Sequence, residues 1–407
     1  MLSKSIQLYK NAFSGLNRNV WLLSTVMLVN RCGTMVLAFM TLYCKSIGFT
    51  LMQGGTVVAV YGAGSIAGAL IGGRVSDKYG FYHVQFVALF FGGILFIVLS
   101  LMETFVSICV VSFILAMVNE SYRPANSAAI AHYSKPENRT KSYSLARLAV
   151  NLGFGIGIAI GGMLASINYK YIFYVDGCTS IVAGFCLLWL LPKVTVTMQR
   201  QPLDDGEIIS EYTSPLKDKP FMLFLIFQFL FSICFFQLFT TIPVFFKEIL
   251  KMSEFSIGAV MALNGILIAL FEMVIVFKLE GRKPYLLLMS YGSMIMAASF
   301  FTLLLPIQWG ITLAIIATLI ITISEMVAMP FMNTYYISRT TLANRGRYAG
   351  LYTMTWSLSQ MLGSITGTAT AETLGYDGLW IVVAIVAATA GAGYYALNKA
   401  SLKIDMQ

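Results

Sequence analysis

The sequence predicts an all-α integral membrane protein of twelve transmembrane helices, arranged as two six-helix halves related by a parallel pseudo-repeat. Three observations carry that prediction. Hydrophobic residues make up 58% of the chain and charged residues only 11%, whereas soluble domains are about 45–50% apolar and about 25% charged. Apolar runs long enough to cross a bilayer, which takes about 20 residues, recur along the whole length and leave no soluble catalytic domain over. Finally, the longest polar gap falls near the middle of the 407 residues, and the stretches on its two sides echo each other.

Taken in order, the runs are 19–44, 51–73, 83–102, 105–132, 143–166 and 170–192, then 219–247, 254–278, 284–305, 308–337, 347–372 and 376–398. The first is too long for a signal-peptide core, and no small-residue cleavage site precedes a soluble domain, so it reads as a retained span. The gap that contains RQPLDDGEIISEYTSPLKDK divides the chain into a first half (1–192), a cytoplasmic linker (193–218) and a second half (219–407).

Lys and Arg flanking short loops stay on the cytoplasmic side. With both termini inside, only Lys45, Lys170, Lys247 and Lys251 of the 27 bases fall on the far side, and Arg31 and Arg123 lie in mid-membrane. The net charge of +9 is therefore mostly topology, which argues against a nucleic-acid partner. Multi-pass insertion in the cell (inner) membrane, as a monomer in the lipid bilayer, is the expectation. The six cysteines, Cys32, Cys44, Cys109, Cys178, Cys186 and Cys234, lack the paired spacing of a disulfide framework or a zinc site. His83 and His132 form neither a HExxH pair nor a triad, and no phosphate-binding glycine loop occurs. No enzyme, cofactor or metal site is expected.

The echo between halves is specific. NESYRP, from Asn119 to Pro124, is matched by SEMVAMP, from Ser324 to Pro330, and ENRTKSY, from Glu137, by ANRGRY, ending at Tyr348. An offset of half the chain is what duplication of a six-helix unit produces, and such repeats build transporters whose halves rock about a central site.

Between the second and third spans stands GGRVSDKYGFYH. Arg74 and Lys78 hold that loop inside, Gly73 and Gly80 are expected to allow a tight reversal, and Asp77 is placed to meet the positive N-terminus of a neighbouring helix. The pattern Gly73-x-x-x-Asp77-Lys78-x-Gly80 in this position resembles the signature loop of the major facilitator superfamily. The resemblance covers the whole chain. KLEGRK, from Lys278 to Lys283, is a weaker echo of it after the eighth span. GFGIGIAIGG, from Gly153 to Gly162, with Arg147 to Asn151 just before it and Asn30–Arg31 in the first span, is similar to the drug:proton antiporter branch. Glycines remove side chains and let helix backbones close up, which implies a tight seam between the halves. By resemblance, Asp77 should latch the start of the eleventh span, with Arg147 and Asn151 part of the same gating machinery.

Ionisable groups in mid-bilayer cost at least a few kcal/mol each and usually face an aqueous cavity or one another. By resemblance the first, fourth, seventh and tenth spans line the cavity, which points Arg31, Glu120, Arg123 and Glu325 at the substrate path. Glu120 and Arg123 share a helical face. Glu325 has no base within a helical turn and is the better proton carrier, with Glu272, Asp176 and Glu120 as further candidates. Asn30, Thr34, Tyr61, Gln228, Gln237, Asn264, Asn333, Trp356 and Gln360 are the remaining cavity candidates. A pocket this mixed suits an amphipathic or aromatic molecule. The resemblance implies a proton-coupled secondary transporter that exports hydrophobic or amphipathic small molecules by alternating access. A proton-driven importer of a small metabolite or peptide and a lipid flippase are the alternatives.

Overall fold

The computed structural model describes residues 15–135, 138–193, 215–340 and 345–405, with the backbone alone at Asp77, Arg139, Thr140, Arg345, Gly346 and 402–405. Most of the linker expected at 193–218, together with Glu137 and the residues ahead of Arg345, thus lies outside the described residues. Among those described, all regular structure is helical, in fourteen α-helices and two short 3-10 turns.

The first span is two helices, α1 (Arg18–Cys32) and α2 (Val36–Ser46). α3 (Leu51–Tyr79), α4 (Phe81–Ser100), α5 (Phe105–Glu120) and α6 (Tyr122–Tyr133) follow, then α7 (Arg139–Ile167) and α8 (Lys170–Leu190). After residue 215 come α9 (Lys219–Thr240), α10 (Ile242–Glu248), α11 (Glu254–Leu279), α12 (Tyr285–Thr302), α13 (Ile311–Ser338) and α14 (Arg345–Asp405). Among the described residues, eleven helical stretches are long and apolar enough to cross a membrane. Val106, Trp189 and Phe277 keep 69%, 88% and 75% of their surface open, an apolar exterior fit for lipid and not for water.

Two compact units emerge. The first comprises Met1–Leu37 and Ala63–Thr197; the second comprises Ala38–Gly62 and Met198–Gln407. In the first, Gly64, Gly68 and Gly72 recur every four residues along α3, and a Cβ at each would strike the backbone of Phe113, Met117 or Ser121. That small-residue stripe seats α3 directly on the fourth span. The core beside it gathers Val20, Leu23, Tyr82, Leu89, Ile130 and Leu187. In the second unit, Trp380 is fully buried between Phe245 and Phe300.

One expectation changes. The signature stretch is not a loop from residue 73 onward: α3 runs on to Tyr79, and the reversal is made by Gly80 alone, at φ +86°. Gly73 is helical with open space where a Cβ would sit, so nothing steric requires glycine there. In the first unit, Gly153 and Gly157 of the fifth span lie against α1. A Cβ at Gly153 would lie 2.7 Å from Arg31 Cβ, and one at Gly157 2.8 Å from the Cys32 carbonyl, so both serve to bring α7 against α1 within the first unit.

Candidate functional site

The polar residues gather where helices are interrupted. α1 stops at Gly33, whose N–H bonds back to Asn30 O and Arg31 O, and the chain restarts as α2 three residues later. The restart leaves the Met35 and Val36 N–H groups without helical partners. Both donate to the carboxylate of the fully buried Asp176, Met35 at 3.2 and 3.1 Å to its two oxygens and Val36 at 2.9 Å. Asp176 thus caps, from α8, a helix to which it does not belong. Beside it the Ser180 hydroxyl donates to Asn30 Oδ1 at 3.3 Å. The fourth span breaks at Ser121, three residues ahead of Pro124, and the seventh at Thr241, ahead of Pro243. The tenth is continuous but carries Pro330. These are the four spans that the resemblance assigns to the cavity.

In the first unit, Arg123 Nε lies 3.2 Å from Glu120 Oε2; the Arg123 side chain is 56% exposed and that of Glu120 18%. Arg31 does not join this pair. Among the described residues its guanidinium makes no hydrogen bond or ion pair, and its electrostatic neighbour is Tyr122. Thr34 sits in the break of the first span, with its N–H on Arg31 O.

In the second unit, Glu325 of α13 is 95% buried and accepts from Asn264 Nδ2 of α11 at 2.8 Å. Asn264 Nδ2 also donates to Thr322 Oγ1 at 3.0 Å, and that hydroxyl donates to Thr318 O. Glu272, buried one further stretch along α11, acts electrostatically on Glu325. Sequence reasoning named Asn264 and Glu325 separately; the fold joins them, and turns Asn264 into the carboxyl's hydrogen-bond donor.

Several cavity candidates make contacts within the second unit. Gln237 is fully buried, donates to Ile233 O and Gly363 O, and accepts from the Thr241 hydroxyl at 2.8 Å. Gln228, also fully buried, donates to Tyr352 O, and Gln360 is buried. Asn333 is exposed and bonds its own helix at Met329 O. Tyr61 is half-buried. Trp356, half-buried, meets Phe235 and Phe236 edge-on with ring centroids 5.7 and 6.2 Å away, and the Tyr352 ring beside it stacks on Tyr336 at 4.6 Å. The result is an aromatic wall with partly open rings.

Among the gating candidates, Arg74 and Lys78 are exposed, Lys78 over the Tyr79 ring, while Arg147 and Asn151 are half-buried on α7. The side chain of Asp77 lies outside what is described. All six cysteines are free.

One cluster was missed. Asp218 caps α9 through the Phe221 N–H and receives Arg339 in bidentate fashion, Nε to Oδ2 at 2.9 Å and Nη2 to Oδ1 at 2.7 Å, with the Tyr348 hydroxyl at 3.0 Å. Burial alone would raise the Asp218 carboxyl, but these donors outweigh it and hold it below the usual carboxylate range. Its partner Arg339 is pushed up: burial works against the charge, and the Asp218 bond more than offsets it.

Known proteins place this arrangement. A sequence model described as Major Facilitator Superfamily matches residues 20–364. A Na(+), Li(+), K(+)/H(+) antiporter of Planococcus maritimus is 22% identical over 360 residues, covering 81% of this chain and 84% of its own. The quinolone resistance protein NorA of Staphylococcus aureus is 24% identical over 172 residues, 42% of this chain and 44% of its own. A crystal structure of a POT family transporter in complex with 5-aminolevulinic acid superimposes with a TM-score of 0.79 at 16% identity, covering 93% of this chain and 96% of that one. The chain belongs to the Major Facilitator Superfamily and is a multi-pass membrane transporter, not an enzyme.

Proposed function

We propose that this transporter is a proton-coupled antiporter of the inner membrane that exports amphipathic aromatic compounds by alternating access, as a monomer with both termini in the cytoplasm. The observation that carries the reading is Glu325: a carboxyl 95% buried inside the tenth span whose hydrogen-bond donor is the neutral Asn264. A buried carboxylate without a base beside it is costly, so binding and releasing a proton is the chemistry it is built for, with Glu272 within electrostatic reach. The aromatic wall of Trp356, Phe235 and Phe236 supports an aromatic substrate body. The family relatives, an antiporter of monovalent cations and protons and a quinolone resistance protein, support antiport and export.

The reading includes twelve spans in two halves, 1–192 and 219–407, joined by the linker. α14 runs for 61 residues, about 90 Å at 1.5 Å per residue, three times the thickness of the hydrocarbon core. Gly375, at φ +72° and ψ 176°, is not helical and divides it into an eleventh and a twelfth span. Asp77, with Arg74 and Lys78, is assigned to latch the cytoplasmic side.

The test uses purified protein in proteoliposomes that carry an imposed pH gradient reported by a pH-sensitive dye, with a panel of amphipathic aromatic acids and bases added in turn. Dissipation of the gradient by at least one compound, absent from empty liposomes, is expected. If no compound moves protons while a sodium or potassium gradient drives uptake, the coupling ion is a monovalent cation instead, the ion class in the name of the Planococcus relative.

A further inference from the structure

We infer that the first unit holds an anion-recognition site built on Arg31, Tyr122 and Arg123, so that the transported molecule carries an acidic group, a carboxylate or a similar oxyanion, on its apolar body. This rests on the transporter reading and names its substrate class.

The first unit carries an uneven charge inventory. Arg31 stands at the last turn of α1, in the depth of the first span, and among the described residues its guanidinium has no hydrogen bond and no ion pair. Its stem is held: a Cβ on Gly153 of α7 would sit 2.7 Å from Arg31 Cβ, so the fifth span presses on the arginine's base and leaves its position well defined. Two acids of the first unit lie at comparable depth, and both are committed. Asp176 spends its oxygens on the Met35 and Val36 N–H groups, and Glu120 is paired with Arg123. One guanidinium is therefore uncompensated within the membrane, a state that costs at least a few kcal/mol and persists only where an anion or water meets it.

The second observation is Tyr122. The residue is 6% exposed, and its hydroxyl is buried without a hydrogen-bond partner, within electrostatic reach of Arg31. A buried orphan hydroxyl beside an unpaired guanidinium is a donor set awaiting an acceptor. The next residue supplies a second base: Arg123 engages Glu120 through Nε, and its side chain is more than half exposed. A planar guanidinium suits bidentate recognition of a carboxylate or oxyanion, and the neighbouring hydroxyl adds a neutral donor. A cationic substrate would meet two bases against one paired acid here, and like-charge repulsion would select against it.

The test measures equilibrium binding to detergent-purified protein, independent of transport, using 2-naphthoate, 2-naphthamide and 2-naphthylmethylamine, which share a ring system and differ in charge. The carboxylate should bind at least tenfold tighter than the amide, and the amine weakest. That discrimination should collapse in Arg31→Gln, be partly kept in Arg31→Lys, and shrink in Tyr122→Phe, a change that preserves packing if the glutamine variant folds poorly. Arg282→Gln, at an exposed base outside the spans, should keep the full discrimination. Equal binding of acid and amide, preference for the amine, absence of binding, or discrimination that survives both Arg31 variants would each overturn the anion site. Proteoliposome flux separates this from the transport reading: gradient-driven movement of the amine or amide without acid preference removes the anion site alone, whereas acid-selective binding without any flux upholds the site and contradicts the transporter cycle.

Discussion

Replacing Asp218 by Ala removes the carboxylate that ties the start of α9 to Arg339 and Tyr348. Its side chain is only 10% exposed, and it accepts one backbone N–H, two guanidinium N–H groups and one hydroxyl. Loss of an N-cap costs about 1 kcal/mol. Charge-assisted hydrogen bonds contribute about 1.5–3 kcal/mol, here reduced because Arg339 is 31% exposed and partly solvated once released. The expected destabilisation is about 2–4 kcal/mol for Asp218→Ala and about half that for Asp218→Asn, which keeps the cap and loses the charge. Thermal unfolding in detergent, followed by a thiol-reactive dye that reports the buried Cys44 and Cys234, measures it, and a double-mutant cycle with Arg339→Gln isolates the pair. The pH dependence has a definite sign. Because the folded carboxyl is held below its usual value, its stabilisation is complete above about pH 4 and is lost as pH falls through the folded value. Wild type and Asp218→Asn should differ at neutral pH and converge in acid. An unchanged unfolding temperature at pH 7, or a gap that persists at the acid end, would refute the reasoning.

Other perturbations test separate elements. Gly68→Ala places a Cβ against the Met117 backbone and should cost about 1–3 kcal/mol by overpacking, whereas Gly73→Ala, with open space, should be tolerated; equal effects in thermal unfolding would contradict the seating of the second span on the fourth. Asp176→Ala strands the Met35 and Val36 N–H groups, at about 1–3 kcal/mol each, and Asp176→Asn should lose less; a stable, well-expressed alanine variant would rule out the capping role. Since Arg123 is more than half exposed, Glu120→Gln should change stability by under about 1 kcal/mol while impairing flux, and a loss of flux that merely tracks unfolding would reduce the pair to scaffolding.

The membrane class, the position of nearly every span and the family were legible because the apolar runs end at charges and the signature stretch lies between two of them. The breaks were not. Gly33, Ser121 and Thr241 sit inside apolar runs that look continuous, and the interruption of the first span is tolerable only because Asp176, 141 positions away, supplies acceptors for its freed N–H groups. The Asp218–Arg339 pair spans 121 positions, and each partner, read locally, is a topogenic charge or a linker acid. The bonds of Gln228 to Tyr352 O and of Gln237 to Gly363 O were not legible either, because their acceptors lie 124 and 126 positions away. The four-residue period of Gly64, Gly68 and Gly72 is written in the sequence but went unread there.

The central claim concerns the proton on Glu325. In proteoliposomes loaded with a transported compound, Glu325→Gln should abolish accumulation driven by an imposed pH gradient while compound-for-compound exchange without a gradient continues, because the amide keeps the shape and the Asn264 contact and cannot carry a proton. Gradient-driven accumulation by Glu325→Gln at the wild-type rate would contradict the account.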